Sequence, residues 1–392
     1  MKRMLLISLV IVLALSAVAV GCGGGEEEGE KVFRVAHLEP LAGPFAGWGL
    51  PCQESAELAV EDINADGGVK VGDDYYIWEE VLYDNQLDPT ITSTLARKVI
   101  YDDEIGYIFV NSTDEGLAIS EICNENKVIL FVHGPISDII GPQAPYTFQF
   151  WNTMAEQEWV CLQYVHDTYP EVDTVGVFAY DGRLGREAAA DFTEQAEILG
   201  FTVIEPRFNA PGATDFYSQL TAMLAKNPGY ISVTNLPAED QAHIVKQARE
   251  LGYTGIIGHP DVLDMETMTA IAGLEALQGN IGQSPDCYTA VGQDWNQRFL
   301  ADFGSEQTWT RYMYDARMLL ELAIEKAGTT DPEVLKDTLG EVKFEGVAGE
   351  TYFAANKYTG GLKRSLKAKM FCVEVEGDQL VQKFSGYAPL WD

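Results

Sequence analysis

The chain has 392 residues, 46% of them apolar, and carries 60 Asp+Glu against 26 Lys+Arg, for a formal net charge of −34. That length holds two ordinary domains with cores of their own, and a surface so acidic repels phosphate backbones, which argues against nucleic acid as a partner. The histidines, at 37, 133, 166, 243 and 259, never reach metal-ligand spacing and no C-x-x-C occurs, so neither metal nor redox cofactor is expected.

The first element is a leader. Lys2 and Arg3 precede the apolar stretch Leu5–Val20, which ends at Gly21-Cys22. It is too short for a comfortable membrane span and reads as an export signal. Its end resembles a bacterial lipoprotein signal, which implies that Cys22 is lipidated; an ordinary secretory signal cut nearby is the other reading. With Cys22 on lipid, the cysteines at 52, 123, 161, 287 and 372 are left, an odd number that allows at most two disulfides and leaves one thiol free. Cys123 and Cys161 fall in helical patterns and also fit as plain core residues. Gly23–Lys31 (GGGEEEGEK) has nothing to pack and reads as a flexible tether.

The body alternates two periods. Phe33–Leu38 is a strand, and Ala56, Ala59, Val60 and Ile63 follow at helical spacing. Tyr75–Tyr83 is the next strand, and Pro89 opens a helix to about Asp102. Strands at Tyr107–Val110 and Val128–Val132 flank a helix near Leu117–Asn126. After Trp151 the rhythm restarts. Helices are expected at 154–168, 185–199, 216–226 and 238–251, with strands at 174–179, 201–208, 230–234 and 255–258. Two longer helices, 292–303 and 310–327, precede a β-rich tail at 343–354, 367–376 and 379–384. Such strand–helix alternation implies βαβ units, so the fold class is α/β with two similar, Rossmann-like lobes and largely parallel sheets.

In open α/β sheets ligands sit beyond the carboxyl ends of the strands, so the loops there are the candidate site. The first, Glu39–Pro51, contains Gly47-x-Gly49. A dinucleotide fingerprint would need a third glycine where Cys52 stands, and Trp48 would obstruct a pyrophosphate. Trp48 instead either covers an apolar or cationic ligand or packs beneath its own loop. In the third-strand loop, Ser112, Thr113 and Asp114 either cap the next helix or bind a carboxylate or amide at its N-terminus. His133 and Gly134 end the fourth strand, where Gly134 leaves backbone accessible and His133 either faces ligand or is simply buried. In the second half Tyr180 and Asp181, Asn235 and Leu236, and His259-Pro260-Asp261 follow strands at one topological end; each also reads as a polar turn. No G-x-S-x-G elbow or Ser-x-x-Lys occurs, so the chain does not read as an enzyme.

Several stretches together resemble the type I periplasmic binding proteins, in the leucine/isoleucine/valine-binding branch of ABC-transporter substrate-binding proteins. They are Leu41–Gly49, Ala56–Gly68 (AELAVEDINADGG), Tyr83–Pro89 with its D-x₃-D-P turn, Asp181–Gly185, and the closing segment Phe344–Gly361 with its F-x-G-x-x-G-x-x-x-F pattern. The resemblance spans about 32–390. It implies a three-segment hinge, with lobe one at 32–151 plus 280–365 and lobe two at 152–279 plus 366–392. Crossings are expected at Trp151–Thr153, 279–284 and 363–366. It further implies a monomeric, extracytoplasmic receptor of a membrane permease, lipid-anchored through Cys22, that closes on a small solute and needs no cofactor. The other class of function considered is a sensory protein reporting to a membrane receptor. Carried over by position, Trp48, Ser112, Thr113, Asp114, Gly134 and Trp309 fall in the pocket of lobe one. Asp181, Leu184, Leu236 and Asp261 fall in that of lobe two, with Trp48 and Asp181 facing each other. Family members that bind branched-chain amino acids often have an aromatic where Leu184 and Leu236 stand and a hydroxyl near Asp114. They have a carboxylate near Asp261 for the ligand ammonium.

Overall fold

The computed structural model describes residues 31–135, 139–210, 212–261, 263–284 and 289–389. The leader, Cys22 and the tether as far as residue 30 lie outside them, as do Ile136–Asp138 and Cys287. In chain order the elements are β1 (Val32–Glu39), α1 (Ala46–Ala65), β2 (Val69–Val71), β3 (Asp74–Asp84), α2 (Pro89–Tyr101), β4 (Tyr107–Asn111), α3 (Thr113–Glu125), β5 (Ile129–His133) and β6 (Thr147–Gln149). Next come α4 (Met154–Thr168), β7 (Thr174–Tyr180), α5 (Arg183–Ile198), β8 (Thr202–Val203), β9 (Arg207–Asn209), α6 (Tyr217–Leu224), β10 (Tyr230–Thr234), α7 (Ala238–Glu250), β11 (Ile256–His259), α8 (Met265–Ala272), α9 (Leu274–Leu277) and β12 (Ile281–Gln283). The rest is α10 (Ala290–Phe303), α11 (Arg311–Ala327), α12 (Pro332–Thr338), β13 (Phe344–Gly346), β14 (Gly349–Ala354), β15 (Ser365–Lys367), β16 (Met370–Glu376) and β17 (Gln379–Gly386).

Two sheets form. The first runs β13-β14-β15-β6-β5-β4-β1-β3-β2, and the second β17-β16-β12-β11-β10-β7-β8 with β9 also on β7. Their centres are parallel and only their edges antiparallel. Every residue of β4, β5 and β10 is buried, the mark of strands covered by helices on both faces. In lobe one α1 and α11 cover one face and α2 and α3 the other; in lobe two α4 and α5 oppose α6, α7 and α8. The chain passes between the sheets after β6, after β12 and between β15 and β16.

The expected strand 201–208 is two short strands, because Glu205-Pro206 separates β8 from β9 and proline has no N–H for the ladder. The expected strand 367–376 is divided at Ala368-Lys369, with β15 in the first sheet and β16 in the second. Both pieces are buried, and β15 is only Ser365-Leu366-Lys367, too short to show a period of its own beside the apolar start of β16. Cys52, Cys123, Cys161 and Cys372 are buried and carry free thiols. Among the described residues no helix is long and apolar enough to cross a membrane.

Candidate functional site

A cavity of about 280 Å³ opens where the exits of the central strands of both lobes converge. Lobe one contributes Trp48, Ser112, Thr113, Asp114, His133, Pro135 and the crossing residue Trp151. Lobe two contributes Met154 and Gln157 of α4, Leu184 of α5, and Asn235 and Asp261 from the exits of β10 and β11. A larger hollow, about 590 Å³, lies between α1 and β3. Its walls all come from lobe one and no strand exits converge there, so the smaller cavity is the better candidate for a solute held between lobes.

The lobe-one wall is built by close backbone approaches. Ser112 sits at φ +76°, a conformation costly for a residue with a Cβ. Its N–H donates to the His133 carbonyl at 2.9 Å and its Oγ accepts from the Asp114 N–H at 3.3 Å. A Cβ on Gly134 would lie 2.3 Å from Thr113 Oγ1, so only glycine lets the exit of β5 pass the first turn of α3. Thr113 Oγ1 is buried without a hydrogen-bond partner among the described residues. His133 is wedged among rings, with Trp151 edge-to-face at 4.0 Å and Phe150 stacked at 5.1 Å. Its Nδ1 lies 3.1 Å from Asn111 Oδ1. In lobe two, Asp261 Oδ2 accepts the N–H of Asn235 at 2.9 Å and so fixes the exit of β10, where Asn235 takes φ +52°.

At the mouth Arg183 Nη2 donates to Asp114 Oδ1 across the lobes at 2.7 Å. The side chains are 42% and 63% exposed, and such pairs contribute about 0.2–1 kcal/mol. This is a weak latch, and it occupies a carboxylate that the sequence offered to ligand.

Of the residues expected to meet ligand, Trp48, Ser112, Thr113, Asp114, His133, Asn235 and Asp261 line the cavity, and so does Leu184. Trp48 stands on the first turn of α1 rather than in a loop, because the helix begins at Ala46. The others do not line it. Gly134 lies behind Thr113. Tyr180 packs on the lobe-two core with Leu236, whose carbonyl accepts from Gln241 Nε2 at 2.7 Å. Trp309 stands 6.1 Å behind Trp151 and donates its indole N–H to Gln307. Asp181 is not among the lining residues; its carboxylate accepts from Arg186, one turn into α5, and the lobe-two carboxylate that lines the cavity is Asp261. Pro135, Trp151, Met154 and Gln157 were not anticipated. Trp151 and Met154 border the first crossing, and a segment that passes between lobes necessarily flanks their cleft, a signal present in the sequence.

Beneath the lobe-two wall, Glu158 of α4 is buried and accepts the Ser232 hydroxyl at 2.9 Å. Burial pushes its carboxyl up to about 8, with the Asp261 charge adding to the rise. A folded-state value above the unfolded one means that the folded state binds more protons in between, so stability falls as pH rises from about 4.5 to about 8. Glu158→Gln should flatten that fall. Melting curves at pH 5 and pH 8.5 check it, and an unchanged slope would remove Glu158 as its source.

The profile of the periplasmic binding protein family matches residues 32–379. The leucine-, isoleucine-, valine-, threonine-, and alanine-binding protein of Pseudomonas aeruginosa is 24% identical over 330 residues, which is 82% of this chain and 85% of that protein. The fold is similar to that of a branched-chain amino acid transporter substrate binding protein from Streptococcus pneumoniae in complex with isoleucine, with TM-score 0.69 and 20% identity over 91% of this chain and 99% of that one. It is also similar to a solute binding protein of ABC transporter from Rhodopseudomonas palustris in complex with 3,4-dihydroxy benzoic acid, with TM-score 0.72 and 21% identity over 92% and 98% of the two chains.

Proposed function

This chain belongs to the periplasmic binding protein family, whose relatives here are solute-binding proteins rather than enzymes, and on that premise we propose that it is the extracytoplasmic solute receptor of an ABC importer. Its ligand is an amino acid or a related small polar or organic acid. The observation that supports this most is the division of chemistry across the cavity. Asp261 offers a carboxylate from lobe two, while Ser112, Thr113 and the N-terminus of α3 stand on the lobe-one wall, where the Asp114 carboxylate is paired to Arg183. Trp48, Trp151, Met154 and Leu184 supply apolar wall between them, and no described lining residue is Lys or Arg. An ammonium suits the first, a carboxylate the helix N-terminus and an apolar body the middle. The volume, about 280 Å³, is at the small end for ligand sites, which run to about 300–1,000 Å³, and suits one amino acid better than a peptide.

Binding is by hinge closure: a solute that touches both walls favours the closed form by its contacts there. The moving bodies are 32–151 with 280–365 and 152–279 with 366–392, except that β12 travels with lobe two through its pairing to β11 and β16. The receptor acts as a monomer that docks on the permease, tethered to the membrane by lipid on Cys22.

A thermal-shift screen with L-leucine, L-phenylalanine, L-tyrosine, L-tryptophan and hydroxybenzoates tests the reading. A ligand at 100 times its Kd adds about 2.7 kcal/mol. A folded protein that none of these stabilises would exclude the ligand class. Cys22→Ala should move the protein from the membrane to the soluble fraction, and undiminished membrane recovery would rule out the anchor.

A further inference from the structure

We propose that His133 presents an unprotonated Nε2 to the cavity and so selects solutes that carry an O–H or N–H donor, its tautomer being set by a buried relay from Arg317 through His37, Glu39 and Asn111. The inference rests on the cavity being the solute site, as proposed above.

The relay is read from its one unambiguous end. The guanidinium of Arg317 has only donors. Its Nη2 lies 3.2 Å from His37 Nδ1, so that nitrogen is the acceptor and His37 carries its proton on Nε2. The rival placement, Nδ1–H turned to Glu80 Oε2 at 3.4 Å, would set two N–H groups against each other. His37 Nε2–H therefore donates to Glu39 Oε1 at 2.8 Å. Burial pushes the Glu39 carboxyl well above its usual range, while the Asn111 hydrogen bond and the Arg317 charge work the other way. In the ionised form both oxygens accept, Oε2 taking Asn111 Nδ2–H at 3.0 Å, and Cys52 Sγ accepts from the same nitrogen at 3.5 Å. Two acceptors thus hold the Asn111 amide in one orientation and turn its Oδ1 to His133 Nδ1, 3.1 Å away. An oxygen there needs a donor, so His133 is protonated on Nδ1.

Burial and the Arg317 charge hold both imidazoles well below the usual histidine range, so His133 stays neutral and its Nε2 keeps a lone pair. His133 is 2% exposed, lines the cavity, and its Nε2 has no hydrogen-bond partner among the described residues. A buried acceptor left unpaired is costly, and a solute that donates to it removes the cost. One that offers only an acceptor there meets lone pair against lone pair. A hydroxyl or N–H on the part of the solute that lies against Trp48 and Trp151 is the group so recognised, as in a phenol or an indole.

Two measurements test this. In ¹⁵N-histidine-labelled protein without added solute, long-range ¹H–¹⁵N correlation should show His133 as the Nδ1–H tautomer across pH 6–8. An Nε2–H pattern, with the proton given to the face of Trp151, would overturn the relay. In Glu39→Gln the amide must donate to Asn111, whose own amide then turns and donates to His133 Nδ1, so His133 should switch to Nε2–H. An unchanged tautomer in that variant would also overturn it, and if the variant does not fold the wild-type spectrum still decides. Calorimetry with L-tyrosine, L-phenylalanine and O-methyl-L-tyrosine reads the selectivity. Wild type should favour tyrosine over the other two by roughly tenfold. Binding of all three with equal affinity would overturn the selectivity. If none of the three binds, the selectivity is overturned, the screen above still decides the amino-acid reading, and the spectrum settles the tautomer.

Discussion

Arg317→Met should lower the thermal midpoint by about 10 °C. Arg317 is fully buried and makes a two-pronged contact with Glu80, Nε to Oε1 at 2.7 Å and Nη2 to Oε2 at 3.1 Å. Its Nη1 donates to the Met313 carbonyl at 2.9 Å, and the guanidinium lies 4.2 Å from the centre of the Phe109 ring. Methionine keeps most of the packing volume and loses every donor. The Glu80 carboxylate, only 11% exposed, is then left without its cation, and His37 Nδ1 without its donor. Breaking one side of a buried pair costs about 3–5 kcal/mol, and in a body this size each kcal/mol moves the midpoint by about 2–4 °C. The double variant Glu80→Leu with Arg317→Met should recover part of the loss, because no charge is then stranded. Scanning calorimetry on both, and on Glu80→Leu alone, decides. If the double variant falls as far as the sum of the single changes, the cost is packing and not an orphaned charge.

Asp261→Ala should weaken binding of whichever amino acid the screen identifies by roughly tenfold to a hundredfold, the effect of losing a hydrogen bond to a charged group worth about 1.5–3 kcal/mol. Asp261 lines the cavity and also holds the Asn235 N–H at 2.9 Å, so the alanine change loosens one wall as well as removing its charge. Asp261→Asn keeps an acceptor for Asn235 and separates the two effects: a loss nearly as large as for alanine means that the ligand's ammonium needs the charge. Trp48→Ala should cost a similar amount through lost apolar contact, since Trp48 is 40% exposed without ligand and has area left to bury. Asp181→Ala is the control. With its carboxylate on Arg186 and no place in the cavity lining, titration calorimetry should return the wild-type affinity. A loss at Asp181 with none at Asp261 would move the site to the other side of α5.

The parallel strands were legible because doubly covered strands are written as unbroken apolar runs, such as Tyr107–Val110 and Val128–Val132, and helices because their burial repeats every three to four residues. The candidate loops were legible from topology alone, since strand exits are where such sheets present side chains. Topology could not say which of several polar residues in an exit faces inward. Asp181 and Asp261 both follow strands of lobe two; the first pairs with Arg186, one turn into α5, and only the second lines the cavity. The change of sheet at Ala368-Lys369 was invisible for a different reason. Three residues, Ser365-Leu366-Lys367, are too few to declare a strand apart from the β16 run that follows them. The relay from Arg317 to His133 joins residues up to 280 positions apart, and no local pattern encodes it.

The pairing of β12 with β16 bears on the order in which the molecule can be made. Ile281, Gly282 and Gln283 lie against Glu374, Val373 and Cys372, and β17 then covers the far side of β16. A chain emerging from the ribosome has completed β7, β10, β11 and β12 almost ninety residues before β16 appears. Through that interval the outer edge of β12 is a bare row of N–H and C=O groups, the kind of edge that recruits foreign strands. Lobe one is no more self-sufficient, because its sheet also waits for β13, β14 and β15. Neither half can therefore be excised as one continuous fragment with its sheet complete, and residues 370–386 close the nascent molecule against aggregation as much as they shape the finished one.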